Sequence, residues 1–131
     1  NFNFNNKLYN SLLMKKILFG ILILTFNSCY FFKSGIDFEI NNKTNSIIKN
    51  IKFYTSERTN VVEIDKINPN HNIRKFLSMR KNKTDGHYVL EFIREDGKNI
   101  SIHDGYYTNG SSLNNLIKFE INNDTTYVTY K

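Results

Sequence analysis

The sequence is poor in residues that cross-link or stiffen a chain. Its 131 residues include one cysteine, one proline and no tryptophan. A single cysteine excludes an intramolecular disulfide, so a folded domain in this chain must be stabilised by a packed core. The material for such a core is present, because 40% of the residues are hydrophobic and 15% are aromatic.

Long hydrophobic runs are also absent. The longest apolar stretch, residues 17–26, has ten residues, whereas a helix needs about 20 to cross a bilayer. Lys15 and Lys16 precede this stretch, and the small residue Ser28 follows it. A positive segment, a short apolar segment and a small residue in this order are typical of a secretory signal peptide. An uncleaved anchor helix is the alternative.

The residues from Met14 to Cys29 resemble the signal of bacterial lipoproteins, in which a lipobox ends in a cysteine that becomes the lipidated N-terminus. Here the lipobox would be residues 26–29, Phe-Asn-Ser-Cys. The resemblance implies cleavage before Cys29, a diacylglyceryl group on its sulfur and usually a further acyl chain on the new amino terminus. Stable anchoring requires at least two such chains. A buried core cysteine behind a misread start is the alternative.

This interpretation divides the chain into four segments. Residues 1–13 contain no methionine and are expected to be an upstream extension, followed by a signal peptide at 14–28. Residues 29–35 would be the lipidated N-terminus and tether, and 36–131 the folded domain. Because Tyr30 rather than aspartate follows the cysteine, the resemblance favours the outer membrane of the cell envelope, facing the periplasm or the cell surface.

The charge of the mature chain is small. A chain that begins at Cys29 has 103 residues, enough for one domain, with 15 basic and 12 acidic residues. Its net charge of about +3 is half the +6 of the whole sequence. Such a balance does not call for a nucleic-acid partner.

The remaining sequence predicts an all-β fold. Apolar Ile36, Phe38 and Ile40 alternate with polar neighbours, as in a half-buried strand, and no stretch of ten or more residues has a helical pattern. Similar short runs predict strands at residues 36–41, 47–54, 62–65, 73–79, 88–94, 100–102, 117–122 and 125–130. The run at 88–94 is apolar on both faces, which indicates a central strand.

Turn signals separate these runs. Pro69 marks a loop, because proline cannot sit inside a strand ladder, and Asp96-Gly97 and Asn109-Gly110 predict hairpins. Seven to nine short antiparallel strands with turns at this spacing favour a single β-sandwich, with a barrel as the alternative.

One local motif favours the sandwich. Residues 85–90, DGHYVL, resemble the corner that enters a late strand of immunoglobulin-like domains. The resemblance implies that the Tyr88 hydroxyl bonds back to upstream backbone and joins the two sheets. An ordinary Asp-Gly turn before a strand is the alternative.

Motifs for catalysis or metal binding are missing. His71, His87 and His103 are sixteen residues apart, far from the short spacings of metal ligands, although two of them could meet across neighbouring strands. The sequence also lacks a phosphate-binding glycine loop, a nucleophile elbow and an H-E-x-x-H motif. We therefore expect no enzyme, no metal and no cofactor.

Two stretches are candidates for binding. Five basic residues lie between Lys66 and Asp85 without an acidic residue: Arg74, Lys75, Arg80, Lys81 and Lys83. They could meet anionic lipid head groups, glycan phosphates or an acidic protein, or they could merely protect a strand edge from aggregation.

The second candidate is a loop around adjacent tyrosines, with Tyr106, Tyr107 and Asn109 as its contact residues. Tyrosines in a loop suit recognition, but a hairpin with one buried ring has the same residues.

Together these features predict a small lipid-anchored envelope protein. Its domain would be a non-catalytic binding or structural module attached to the membrane through the anchor, with an envelope protein or glycan as the further partner. The alternative function is that of an inhibitor or immunity-type lipoprotein directed against a toxin or hydrolase.

Overall fold

A computed structural model describes residues 34–131 of the chain. This part contains nine strands and no helix, which confirms the all-β class. The strands are β1 (Gly35–Asn42), β2 (Ile48–Thr55), β3 (Val61–Ile67), β4 (Asn72–Ser78), β5 (Gly86–Ile93), β6 (Asn99–Thr108), β7 (Ser111–Ser112), β8 (Leu116–Ile121) and β9 (Thr126–Tyr130). Within these residues no helix could span a membrane. The predicted extension, signal helix and Cys29 lie outside the described residues.

The strands form two sheets. One has four strands in the order β4-β1-β8-β9, and the other has five in the order β3-β2-β5-β6-β7. All neighbouring pairs are antiparallel except β1 and β8, which run parallel with Asp37 opposite Leu116. The prediction of antiparallel strands was wrong for this pair. β1 and β8 are far apart in the chain, so no tight turn imposes an antiparallel direction on them.

The two sheets pack against each other through the apolar faces of their strands. In β1 every second side chain is buried, as the alternation predicts. Phe38 of β1 and Phe119 of β8 contact Phe53 of β2 in the opposite sheet, with ring centroids 4.3 and 5.5 Å from that of Phe53. The buried apolar cluster is built from residues 36–121, so a chain that begins at Cys29 contains all of it.

The hairpins and the central strand agree with the sequence. β5 is the middle strand of the five-stranded sheet, and Tyr88, Val89 and Leu90 are buried in succession. Asn109 and Gly110 connect β6 to β7 with φ angles of 47° and 71°. Two positive φ angles are what a two-residue type I′ hairpin turn requires.

The strand directions place the start of the domain at one end of the sandwich. Gly35 at the start of β1 pairs with Ser78 at the end of β4, and the Met79 N–H donates to the Ser34 carbonyl at 2.9 Å. The β2–β3 turn, the β4–β5 loop and the β6–β7 hairpin lie at this same end, which we call the proximal end. The connections at residues 43–47, 68–71, 94–98 and 122–125 form the distal end.

Candidate binding surface

Glu57 joins two connections of the proximal end. It lies in the β2–β3 turn, and its carboxylate accepts hydrogen bonds from the backbone N–H of Lys83 at 3.0 Å and of Thr84 at 3.3 Å. Hydrogen bonds of this kind stabilise the charged form of a carboxylate. The Lys83 N–H consequently lowers the pKa of Glu57. The β4–β5 loop is thereby attached to the β2–β3 turn.

A buried polar network lies beneath this contact. The Asn82 amide donates to Thr55 Oγ1 at 2.7 Å and to the Tyr107 hydroxyl at 3.3 Å, and its oxygen accepts from Thr59 Oγ1 at 2.5 Å. The Tyr107 hydroxyl itself donates to Glu57 at 3.2 Å. Every buried side-chain polar atom of the described residues has a hydrogen-bond partner. A fully satisfied buried network of this kind favours one conformation of the loops.

Asp85 makes the second connection, between the β4–β5 loop and the β6–β7 hairpin. Its carboxylate accepts the Tyr106 hydroxyl at 2.6 Å, Thr108 Oγ1 at 2.9 Å and the Asn109 N–H at 2.8 Å. The hydrogen bond from Tyr106 lowers the pKa of Asp85 and raises the pKa of Tyr106. The Gly110 N–H also donates to the Thr84 carbonyl at 2.9 Å.

These contacts bring together parts of the basic stretch and of the tyrosine stretch, which the sequence suggested as two separate binding candidates. Three of the basic residues are exposed on the β4–β5 loop, and Asp85 joins this loop to the exposed Tyr106 at the end of β6 and to Asn109 in the β6–β7 turn. We call this set the proximal surface; it consists of Arg80, Lys81, Lys83, Tyr106 and Asn109. No sequence signal marked Asp85 as the link, because its partners are more than twenty residues away in the chain.

The adjacent tyrosines lie in strand β6 rather than in a loop. Successive side chains of a strand point to opposite faces, so Tyr106 is 51% exposed while Tyr107 is fully buried. The expectation that Tyr107 contributes to a binding surface is therefore wrong. The alternative, a hairpin with one buried ring, is the arrangement found.

Arg74 and Lys75 are separated from the other basic residues. Both lie on β4, the edge strand of the four-stranded sheet, and Arg74 forms an ion pair with Asp37 at 2.9 Å. Charged side chains on an edge strand protect it from pairing with other chains. This was the alternative interpretation of the basic stretch, and it fits these two residues.

The tyrosine corner is not formed. The Tyr88 hydroxyl donates to Ser112 Oγ at 2.9 Å and also contacts Met79 Sδ at 3.9 Å, rather than bonding to upstream backbone. The β6–β7 hairpin supplies this partner, because it places Ser112 within reach of β5. The alternative, an Asp-Gly turn, is not formed either, because Gly86 is the first residue of β5 and Asp85 lies in the loop before it.

Two histidines do meet, on neighbouring strands. His87 Nε2 lies 3.1 Å from His103 Nδ1, and His103 Nε2 lies 3.1 Å from Ser101 Oγ. A serine next to a base is one requirement for nucleophilic catalysis, but catalysis also needs excluded water and donors for an oxyanion. Ser101 and His103 are both exposed. Residues 34–131 contain no group of three or more His, Cys, Asp or Glu side chains able to bind a metal.

An open groove of about 560 Å³ runs across the five-stranded sheet. It lies where a bulge interrupts the pairing of β2 with β5, and Asn50 adopts a φ of 50° there. Lys52 and Glu63 in its wall pair with each other at 3.5 Å. The wall also contains Asp65 and Glu91 and so carries an excess of negative charge, whereas the proximal surface carries an excess of positive charge.

The fold places the described residues in the class of two-sheet, sandwich-like all-β domains. No protein-family model matches the sequence, and no curated protein does either. A solved structure that is similar is the NMR structure of a protein from Eubacterium rectale, with a TM-score of 0.52 and 14% sequence identity. The match covers 75% of this chain and 89% of that protein. At this identity the similarity concerns the fold alone.

Proposed function

We propose that the protein is a small lipid-anchored envelope protein whose domain is a non-catalytic binding or structural module. The partner docks on the proximal surface. The observation that carries this proposal is the double connection through Glu57 and Asp85, which joins the basic loop and the exposed Tyr106 into one surface. A surface fixed before binding loses less conformational entropy when the partner docks.

The residue types of the proximal surface suit recognition. Tyrosine and arginine are the side chains that contribute most often to binding energy at interfaces, and lysine adds attraction for anionic groups. Tyr106 is 51% exposed beside the loop that carries Arg80, Lys81 and Lys83. The expected partner is therefore anionic.

Anchoring and envelope localisation are part of the same proposal. Their support is the lipobox-like sequence that ends at Cys29, five residues before Ser34. We also propose an immunoglobulin-like domain, but only in the broad sense of two packed sheets. The strand orders 4-1-8-9 and 3-2-5-6-7 differ from the ABED and CFG sheets of constant immunoglobulin domains.

An inhibitor or immunity-type lipoprotein is the second candidate function. The positive charge of the β4–β5 loop favours it, because an acidic toxin or hydrolase could dock there.

The docking surface can be tested with a photo-cross-linking amino acid in the native envelope. It is introduced at Tyr106, at the proximal end, and in a control protein at Tyr127, which is 61% exposed near the distal end. We expect an adduct from position 106 and none from 127. Equal adducts from both positions, or none from 106, would show that the proximal surface is not the docking site.

A further inference from the structure

The chain enters the domain next to the basic loop. Ser34 accepts the Met79 N–H, and Arg80 follows Met79 directly in the chain. Cys29 lies five residues before Ser34, a span of at most about 18 Å when fully extended. A lipid group on Cys29 would therefore hold the proximal end, and not the distal end, close to the membrane.

The two ends of the sandwich differ in charge. The connections of the proximal end carry four basic residues (Arg58, Arg80, Lys81 and Lys83) and two acidic residues, Glu57 and Asp85. Both carboxylates accept hydrogen bonds from the loops themselves. The connections of the distal end carry three basic and three acidic residues. The excess of positive charge thus lies at the end that the tether reaches.

Apolar side chains accompany this charge. Tyr106 is 51% exposed, and Leu113, in the connection between β7 and β8, is 60% exposed. β8 begins beside the start of β1, so Leu113 also belongs to the proximal end. Tyrosine is enriched at membrane–water interfaces, and leucine gains by leaving water for the acyl boundary. Basic side chains beside an exposed tyrosine and an exposed leucine suit binding to a lipid surface.

We propose that the anionic partner of the proximal surface is the headgroup layer of the membrane that carries the anchor. This inference rests on the proposed lipid anchor only for the orientation of the domain. The attraction itself comes from the described residues. Each Lys or Arg near an anionic leaflet strengthens binding by roughly fivefold. The anchor would thus be supplemented by a face that fixes the orientation of the domain on the membrane.

The first test uses the unlipidated chain of residues 29–131, with its thiol blocked and its fold checked by circular dichroism. Binding is measured by co-sedimentation with phosphatidylcholine vesicles that contain phosphatidylglycerol, and with vesicles of phosphatidylcholine alone. We expect binding only to the anionic vesicles. The double variant Lys81→Gln, Lys83→Gln should weaken it by at least about tenfold. The matched control, Lys43→Gln with Lys98→Gln at the distal end, should stay within about twofold of the unmodified chain.

Two results would overturn the proposal. Equal losses in both double variants would mean that net charge alone drives binding. Failure to prefer anionic vesicles would exclude headgroup recognition. Neither result depends on acylation of Cys29. If the protein proves not to be lipidated in the cell, the proposed anchor is refuted, and the vesicle test still decides whether the proximal surface binds anionic headgroups.

Orientation is tested by attaching the chain to vesicles. Cys29 is the sole cysteine, so it can be coupled to a maleimide-bearing lipid. The photo-cross-linker at position 106 should then give an adduct of lipid mass, and the one at position 127 should not. Lipid adducts of equal yield at both positions would show that the tethered domain has no preferred face, contrary to the proposal.

Discussion

At the scale of single residues, hydrogen bonds to the carboxylates of Glu57 and Asp85 organise the proximal end, whereas the ion pair of the five-stranded sheet lies in the wall of the groove. The ion pair between Lys52 and Glu63 joins side chains that are 40% and 68% exposed, and such pairs contribute little to stability. Asp85, in contrast, accepts three hydrogen bonds from one hairpin. Neither contact follows from local sequence, because the partners come from separate segments of the chain.

Tyr88 provides a prediction for one hydroxyl group. Tyr88→Phe removes the hydrogen bond to Ser112 Oγ in a site where the ring is 1% exposed. We expect a loss of about 0.5–1.5 kcal/mol in the free energy of unfolding, with the fold retained. Denaturant melts of both proteins measure it. In the background of Ser112→Ala, Tyr88→Phe should lower the free energy of unfolding by less, because the hydrogen bond is already absent. Identical denaturant midpoints for wild type and Tyr88→Phe would show that the hydroxyl contributes nothing to stability.

Glu57 provides a prediction for pH. Its pKa is lowered in the folded protein, first by the Lys83 N–H. The contact therefore contributes stability above the ordinary glutamate pKa of about 4.3 and loses it as the pH falls through the lower folded value. In an NMR titration the Lys83 amide signal should move with a midpoint below about 4.3.

The control for this titration is Glu95→Gln in the distal hairpin. That variant should leave the midpoint at the Lys83 amide unchanged, whereas Glu57→Gln should abolish the transition. A midpoint at or above the ordinary glutamate value would contradict the hydrogen bonds between the turn and the loop.

At the scale of strands and turns, the sequence was informative wherever the chemistry is local. Alternation in β1 and the Asn-Gly hairpin were predicted because each depends on consecutive residues. The sequence predicts a loop at Tyr106 and Tyr107, because Gly105 precedes them and the Asn109-Gly110 turn follows them. Instead, β6 continues through Gly105, which adopts a φ of 73°.

Gly110 provides a prediction for the hairpin that carries the proximal surface. A Cβ at this position would lie 2.1 Å from the Asn82 carbonyl oxygen, and the φ of 71° disfavours a side chain. Gly97, in the distal hairpin, has a similar φ of 82° but nothing within 4 Å. Gly97→Ala should therefore cost about 1–2 kcal/mol for the backbone alone. Gly110→Ala should cost about 1–3 kcal/mol more, because the β4–β5 loop must move.

Denaturant midpoints compare the two variants. The Asn109 amide signal should also shift in Gly110→Ala, as its hydrogen bond to Asp85 is disturbed, and should not shift in Gly97→Ala. Equal costs for both alanines would mean that the hairpin does not contact the β4–β5 loop.

At the scale of the whole molecule, the sequence predicted the class but not the strand order. The parallel pairing of β1 with β8 joins residues about eighty positions apart, and no local pattern specifies such a pair. This pairing and the pairing of β1 with β4 nevertheless determine which connections lie around Gly35, where the chain enters the domain. The proximal surface is a consequence of that topology, so it could not be found by scanning for basic or aromatic stretches.

Cys29 provides the prediction that concerns the molecule as a whole. Two lysines, a ten-residue apolar run and Ser28-Cys29 follow one another as in a lipidated signal, and the run is too short for a spanning helix. Cleavage before Cys29 would remove that run, so only acyl chains could then attach the domain to a membrane. Intact mass of the membrane-extracted protein should therefore show a chain of 103 residues with a lipidated N-terminal cysteine.

Cys29→Ala is the matching variant. It should prevent lipid attachment and block the lipoprotein-specific peptidase, so that the precursor stays tethered by its uncut helix, or appears in the soluble fraction after cleavage elsewhere. In both cases the mass of the acyl groups is lost while the domain remains folded, because its buried apolar cluster begins at Ile36. An unmodified Cys29 within an uncleaved wild-type chain would refute the lipid anchor.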